Sequence, residues 1–367
     1  MAAVAIAVSF FIIIVAVAVS AGFRNAIRTG VAAMTGDVRI MPYTSGTGSD
    51  PVSMPASLPS LDAIRALPGV VDIEPVAVRA GIVKNGDIIH GVVVKGIPGQ
   101  DQPSLSVSIP HRLSEITGLG VGDDLLTYFV GEKVRVRKFH ITAIHRDLVE
   151  VDDNLLVYAS LSDMQRLNGW ADDRVSCLDI SLTEGASREE VAGAIGHLLL
   201  NSGYPEEEAL YVASSEDEYP QIFDWLKLLD FNVLVILVLM TLVAGFNMVS
   251  GLLIMLLRNV PTIGTLKTLG MNNRAIGGLF VRIGARAVLR GMLIGNALAL
   301  LFCFVQGTWH LIPLDPANYF VSYVPVHVNL PWILVADAAA FLGILALLWL
   351  PSLVISNIDP AKTVKAD

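Results

Sequence analysis

Charge is scarce in this chain. Asp, Glu, Lys and Arg make up 16% of its 367 residues, against about 25% in a soluble domain. Apolar residues make up 53%, and mean hydropathy is +0.61. Those values exclude an ordinary soluble enzyme and a disordered chain. Cysteine is nearly missing, with only Cys177 and Cys303. Cys303 falls in an apolar stretch and Cys177 in a polar block, so a disulfide between them is not expected. A zinc site would need more ligands. No Gly-x-x-x-x-Gly-Lys-Ser/Thr run occurs, so these residues cannot hydrolyse ATP by the P-loop route. His90, His111, His140, His145 and His197 are scattered without metal-ligand spacing, and no coherent catalytic set emerges.

What is present is unevenly placed. Residues 24–225 carry a net charge of −13, and the rest of the chain carries +4. An acidic block of one or two domains thus sits between apolar, slightly basic ends. A negative surface of this kind argues against nucleic-acid binding.

The apolar ends contain membrane-length runs. Ala2–Gly22 and Phe231–Leu257 carry no charge, and Pro331–Ile355 carries only Asp337. About 20 helical residues cross a hydrocarbon core of about 30 Å. Gly291–Gln306 is shorter, and reaches spanning length if its helix starts near Ile276. Arg282, Arg286 and Arg290 then lie at the inner interface. Residues 258–290 contain six Lys or Arg and no acid, whereas 307–330 contain neither Lys nor Arg. Positive loops face the cytoplasm, which places the acidic block outside and the N-terminus inside. Arg24 and Arg28 after the first span argue locally for the reverse. A basic segment upstream of Met1 in the natural chain would reconcile the two. A signal peptide cleaved near Ala18-Val19-Ser20 is the competing reading.

The fold expected is a polytopic α-helical membrane protein with four transmembrane helices and a large extracytoplasmic α+β domain between helices 1 and 2. Its parts are a first span within 1–23, an outer domain at 24–225, a stalk and second span at 226–258 and a cytoplasmic segment at 259–275. A third span at 276–306, an outer loop at 307–330, a fourth span at 331–356 and a cytoplasmic tail at 357–367 follow.

Within the outer block, Asn85-Gly86 between Val76–Val83 and Ile88–Lys95 signals a hairpin. Val134–Ile144 alternates basic and apolar residues, as a half-buried strand would. Leu155–Tyr158 and Leu178–Leu182 read as strands. Leu161–Leu167 and Arg188–Leu200 have helical spacing, the latter preceded by a Ser187/Glu190 capping-box pattern. Ser45–Pro59 reads as a loop. Asp152-Asp153-Asn154 is an incomplete calcium-loop pattern, read as a solvated turn. Glu206-Glu207-Glu208 and Glu216-Asp217-Glu218 read as solvated charge runs. Glu216–Leu257 reads either as one long helix forming a stalk or as helices broken near Pro220 or Asp230.

After Arg258, Pro261 suits a first helical turn. Ile263, Leu266 and Leu269 form an apolar stripe, and Gly270 is placed to end the helix. Such a helix, with Gly264 and Lys267, either docks on a cytoplasmic partner or packs on lipid. Arg282, Arg286 and Arg290 share one face at i, i+4, i+8, suited to lipid phosphates or to a cytoplasmic partner. Asp337 is costly at mid-bilayer. It is read as solvated near the outer interface, hydrogen-bonded between helices, or lining a translocation cavity.

Thr262–Gly270, with the order Ile-Gly-x-Leu-Lys-x-Leu-Gly, resembles the coupling-helix motif of FtsX/MacB-type ABC permeases. The lipoprotein-releasing LolC/LolE type fits best. Val136–Ile141, Asp153–Tyr158 and Leu167–Trp170 resemble its outer domain. Leu314–Pro316, Tyr319, Val321-Ser322 and Val324–Val326 resemble its last outer loop. Ile358–Val364 resembles its tail. Arg258-Asn259-Val260 departs from the family's usual acidic residue at that place. The resemblance implies a non-catalytic permease subunit in the inner membrane of a Gram-negative bacterium. It implies a second permease subunit, identical or related, and a separate LolD-like ABC ATPase that binds ATP and magnesium, with no cofactor on this chain. The ATPase contact would be Pro261, Ile263, Gly264, Leu266, Lys267, Leu269 and Gly270. Cargo lipoprotein would pass to a periplasmic carrier. An FtsX-like permease that regulates a cell-wall hydrolase and a MacB-like efflux permease are the alternatives.

Overall fold

The computed structural model describes residues 2–43, 51–99, 104–131, 134–146, 155–183, 185–315 and 319–354. The elements in chain order are α1 (Ala2–Thr35), β1 (Val38–Pro42), β2 (Met54–Pro55), α2 (Leu61–Arg65), β3 (Val70–Asn85), β4 (Ile88–Ile97), β5 (Ser106–Pro110) and α3 (His111–Thr117). Next come β6 (Asp124–Phe129), β7 (Arg135–His145), β8 (Leu155–Ser160), α4 (Leu161–Asn168), β9 (Arg174–Val175), β10 (Cys177–Leu182), α5 (Arg188–Leu200), α6 (Pro205–Glu208) and β11 (Leu210–Ser214). The chain continues with α7 (Ser215–Glu218), α8 (Pro220–Arg258), α9 (Val260–Thr268), α10 (Asn273–Trp309) and α11 (Leu330–Val354). They form two compact units. One is helical, from residues 1–25, 224–313 and 323–367; the other is mixed, from 26–223 and 314–322.

In the helical unit, α1, α8, α10 and α11 are each long and apolar enough to cross a membrane. Helices in lipid gain little from the hydrophobic effect, so they associate through close packing. Ile6, Phe10 and Ile13 meet Ala244, Met248 and Leu252, Phe280 and Val288, and Ala340, Ile344 and Leu348 in one core. Small residues permit the approach. A Cβ on Gly295 would lie 2.9 Å from that of Phe10, and one on Gly284 would lie 3.0 Å from Leu252 and 3.1 Å from Leu348. Outside this seam, Leu234, Val238, Phe246, Leu293, Leu301 and Leu342 are exposed, as lipid-facing side chains would be.

The connection between α10 and α11 is pinned by Gln306, only 1% exposed. Its amide donates to the Val324 carbonyl at 3.1 Å and accepts from the Ile312 N–H at 3.2 Å. Pro325 lies against Gly22 of α1, and the His327 N–H donates to the Ala18 carbonyl.

The mixed unit is organised by β3, which is 16 residues long. Its first half pairs with β10 in an antiparallel sheet ordered β11-β1-β10-β3. Helices α2 and α5 supply Ile64, Ile195 and Leu199 to that sheet's core, with Val38, Ile40 and Ile180. The second half of β3 pairs with β4, and the order continues through β8, β5, β7 and β6. Strand β6 then returns to β3 through Ile82↔Tyr128 and Val83↔Thr127. These six strands close into a barrel filled by Val83, Val94, Phe129, Phe139, Ile141 and Val157. Closure removes free sheet edges. The sequence reading did not include it.

The hairpin forms where Asn-Gly placed it, with Asn85 paired to Ile88 across Gly86-Asp87. Only Gly86, at the first loop position, takes positive φ (59°), the requirement of a type II′ turn. In β7 the expected alternation is inverted. Phe139 and Ile141 point into the barrel, so Val134 and Val136, of opposite parity, are 63% and 43% exposed. Arg135 takes the inner side, where its guanidinium donates to the Leu167 carbonyl.

Three other readings change. Met54 and Leu58, in the segment read as a loop, are 2% and 5% exposed, and β2 pairs with β9. Glu207 is fully buried: its carboxylate accepts from the Ser60 N–H at 2.8 Å and the Ser60 hydroxyl at 2.5 Å. Asp217 closes a full capping box with Ser214, and Glu218 pairs with Arg39. Neither acidic run is simply solvated. Ser187 does cap α5, accepting from the Glu190 N–H at 3.3 Å. Of the two readings of Glu216–Leu257, the break beside Pro220 is the one seen: the chain leaves the helix at Tyr219 (φ −125°, ψ 56°), and α8 then runs unbroken through Asp230 to Arg258.

Candidate functional site

The segment after α8 is built as the sequence pattern implies. Pro261 stands in the first turn of α9. Ile263 is 1% exposed and belongs to the core of the helical unit, Gly264 is buried beside it, and Leu266 packs on the same core. The Met271 N–H bonds to the Leu266 carbonyl, and the Gly270 N–H to that of Lys267, each at 3.0 Å. With Gly270 at φ +90°, this is a Schellman stop. Leu269 leaves the stripe: it is 79% exposed at the end of the helix. Pro261, Thr262, Thr265 and Leu269 therefore form an outward face, while Ile263 and Leu266 hold α9 to the bundle.

On α10, Arg282, Arg286 and Arg290 are all exposed, whereas Gly284, Val288 and Gly291 are buried. No acid pairs with these three arginines among the described residues. Asp337 of α11 is 6% exposed and accepts from the Asn296 amide of α10 at 2.5 Å. A helix-to-helix hydrogen bond thus occupies this acid.

Between α1 and the N-terminal part of α8, Arg24 pairs with Asp230, which also accepts from the Ser20 hydroxyl at 2.8 Å. Phe23 meets Trp225 edge to face.

Sequence reasoning missed a buried ionic cluster in the mixed unit. Asp179 of β10 accepts from Arg39 Nε of β1 at 2.7 Å and from Lys95 Nζ of β4 at 2.7 Å. Lys95 also donates to the Met34 carbonyl, in the last turn of α1, at 2.8 Å. Arg39 reaches Glu218 at 3.3 Å, two residues before α8 begins. Cations at a helix C-terminus answer its dipole. Burial pushes the Glu218 carboxyl above its ordinary value, against the pull of Arg39. Burial works to lower the Arg39 pKa, and the Asp179 carboxylate more than offsets it, so the guanidinium stays charged. Burial also pushes the Cys177 thiol up to about 12, which leaves it an inert thiol. The sequence signal was the bare fact of Arg39, Lys95 and Asp179 standing inside apolar strands.

Among the described residues, no cluster of three His, Cys, Asp or Glu could hold a metal. His140 lies 3.5 Å from Asp124 at the surface, and His145 bonds Ser108 at 2.7 Å. Asp152-Asp153-Asn154 and the tail at Ile358–Val364 lie outside the described residues.

The FtsX-like permease C-terminal family matches residues 234–360, and the MacB-like periplasmic core domain matches residues 1–198. The lipoprotein-releasing system transmembrane protein LolE of Haemophilus influenzae is 23% identical over 335 residues, covering 82% of this chain and 78% of that protein. LolC of Neisseria meningitidis is 23% identical over 334 residues, covering 81% and 78%. The periplasmic region of MacB from Actinobacillus actinomycetemcomitans covers 52% of this chain and 95% of its own at 12% identity, with a TM-score of 0.34. Four membrane-length helices among the described residues, a mixed domain between the first and second of them, and both family matches in the same order lead to one assignment: the chain belongs to the FtsX/MacB-type permeases of ABC transporters, as a multi-pass membrane subunit with a MacB-like periplasmic core domain.

Proposed function

We propose that this permease extracts lipoproteins from the outer leaflet of the inner membrane of a Gram-negative bacterium. It would hand them to a periplasmic carrier, driven by a separate ABC ATPase of the LolD kind. The observation that carries the reading is similarity, over about four-fifths of the chain, to two proteins named for lipoprotein release. The need for ATP follows from chemistry. Each buried acyl CH2 holds the cargo in the bilayer by about 0.8 kcal/mol. Leaving it takes an energy source and an apolar shelter, which two paired permease subunits would form.

The residues take roles in this scheme. The outward face of α9, at Pro261, Thr265, Leu269 and the neighbouring Lys267 and Gly270, would receive the ATPase. Ile263, Gly264 and Leu266 would pass its displacement into the bundle they pack against. Helix α8, about 58 Å long at 1.5 Å per residue, would carry it outward without a break. Arg282, Arg286 and Arg290 would hold anionic headgroups at the inner leaflet, and Asp337 with Asn296 would fix α11 against α10. ATP and magnesium would be bound by the partner.

Affinity purification of the intact protein in detergent, with mass spectrometry of its companions, tests this. A stoichiometric ABC ATPase with a triacylated lipoprotein is the expected result. An ATPase with a cell-wall hydrolase or its activator would replace the reading with regulation of that hydrolase.

A further inference from the structure

We infer that the buried cluster of Lys95, Asp179, Arg39 and Glu218 is the joint through which displacement of α1 and α8 enters the periplasmic sheet. The inference rests on the permease reading above and adds the residues that transmit its motion.

The geometry is a chain of contacts with helix ends at both extremes. It starts at the Met34 carbonyl in the last turn of α1, passes to Lys95 at 2.8 Å, and to Asp179 at 2.7 Å. From Asp179 it passes to Arg39 at 2.7 Å and to Glu218 at 3.3 Å. Glu218 precedes Pro220, the first residue of α8. The intermediate residues stand on β4 of the barrel and on β10 and β1, the two central strands of the open sheet; β4 and β10 flank β3. A second tie fixes the turn after α1. Asp37 accepts from Arg188 Nε at 2.7 Å and from the Leu182 N–H at 2.9 Å.

Three arguments favour transmission over simple support. First, a surface tie between helix and sheet would be screened and mobile. Here the Arg39, Lys95, Asp179 and Glu218 side chains are all under 20% exposed. Second, desolvating four charges adds little net stability compared with apolar packing of the same volume. What such a cluster does supply is fixed geometry, because its buried donors and acceptors are satisfied mainly by one another. Third, within the mixed unit the cluster ties the last turn of α1 and Glu218, two residues before α8, to one carboxylate.

The test uses the complex of the full chain with the ATPase that co-purifies. A spin label on cysteine at exposed Ile89 of β4 reports the barrel; Cys177 and Cys303 are buried. The diagnostic variant is Lys95→Met with Asp179→Leu, which removes one charge of each sign and leaves Arg39 with Glu218. Asp179→Glu is the conservative control. The wild type and the control are expected to change label spectrum between nucleotide-free and vanadate-trapped ATP states. The double variant is expected to bind the ATPase and hydrolyse ATP within twofold of wild type. Its nucleotide-dependent spectral change should fall at least tenfold, and a merely structural role would not separate those readouts. A double variant that responds as wild type does, or a wild-type label that ignores nucleotide, overturns the joint. Lipoprotein release is scored separately, so a complex that moves its label but releases no lipoprotein overturns the cargo assignment and supports the joint.

Discussion

Two neighbouring glycines of the closed barrel should respond in opposite directions to one added methyl group. Gly81 of β3 lies at the seam where β6 returns. A Cβ there would stand 2.8 Å from Thr127 Cγ2 and 3.0 Å from the Phe129 ring. Thr127 and Phe129 are both fully buried, so neither can swing aside. Gly91 sits across the hairpin, paired with Ile82, and a Cβ on it meets nothing within 4 Å. Replacing glycine by alanine in an extended segment gains about 0.5–1 kcal/mol in backbone entropy. Overpacking costs about 1–3 kcal/mol. Gly81→Ala should therefore lose about 1–2 kcal/mol, and Gly91→Ala should gain up to about 1 kcal/mol. For a domain of this size 1 kcal/mol moves Tm by about 2–4 °C. Thermal unfolding of the detergent-purified chain, followed by intrinsic fluorescence, should show Gly81→Ala about 2–8 °C lower and Gly91→Ala unchanged or slightly higher. Equal responses would mean that β6 does not close on β3.

Three further expectations follow from the same geometry. Glu207→Ala strips the Ser60 N–H and hydroxyl of a charged acceptor, each such bond being worth about 1.5–3 kcal/mol; it should cost about 3 kcal/mol in chemical denaturation, and a loss below about 1 kcal/mol would show that the pair is not held in solution. Glu218 has a folded-state pKa raised by burial, so above the ordinary glutamate value of about 4.3 the folded state keeps a proton that the unfolded chain releases. Stability from this group then falls as pH rises through that window. Glu218→Gln should flatten that part of the Tm–pH curve, and parallel curves for the two proteins would contradict the shift. Leu269→Asp alters a residue that is 79% exposed, so Tm should hold while ATPase co-purification falls at least tenfold; retained ATPase would remove the outward face of α9 from the interface.

The parts legible in the sequence are those set by local chemistry. Bulk hydropathy marks the spans, because a helix in lipid pairs its backbone polar groups within its own length and leaves apolar side chains to face the hydrocarbon. Gly270 marks the end of α9, since the stop needs a positive φ that glycine adopts freely. Asn85-Gly86 marks the hairpin for the same reason. The barrel was hidden because its closure rests on two residue pairs between strands some 45 positions apart. The acids of 206–208 and 216–218 look solvated when read in line. Their partners stand 147 residues away at Ser60 and 179 away at Arg39. The strand at Val134–Ile144 was legible, but which of its faces turns inward was not, because alternation gives a period but no phase. Phe139 and Ile141 set the phase by filling the barrel, and that outcome depends on strands the local pattern does not contain.

The measurement that tests the central claim most directly is release from proteoliposomes. The purified permease and its ATPase would be reconstituted with a labelled triacylated lipoprotein, and soluble carrier added outside. The account predicts that label moves to the carrier only with hydrolysable ATP, and that transfer falls at least tenfold with Leu269→Asp. ATP hydrolysis at wild-type rate with all label left in the membrane would contradict it.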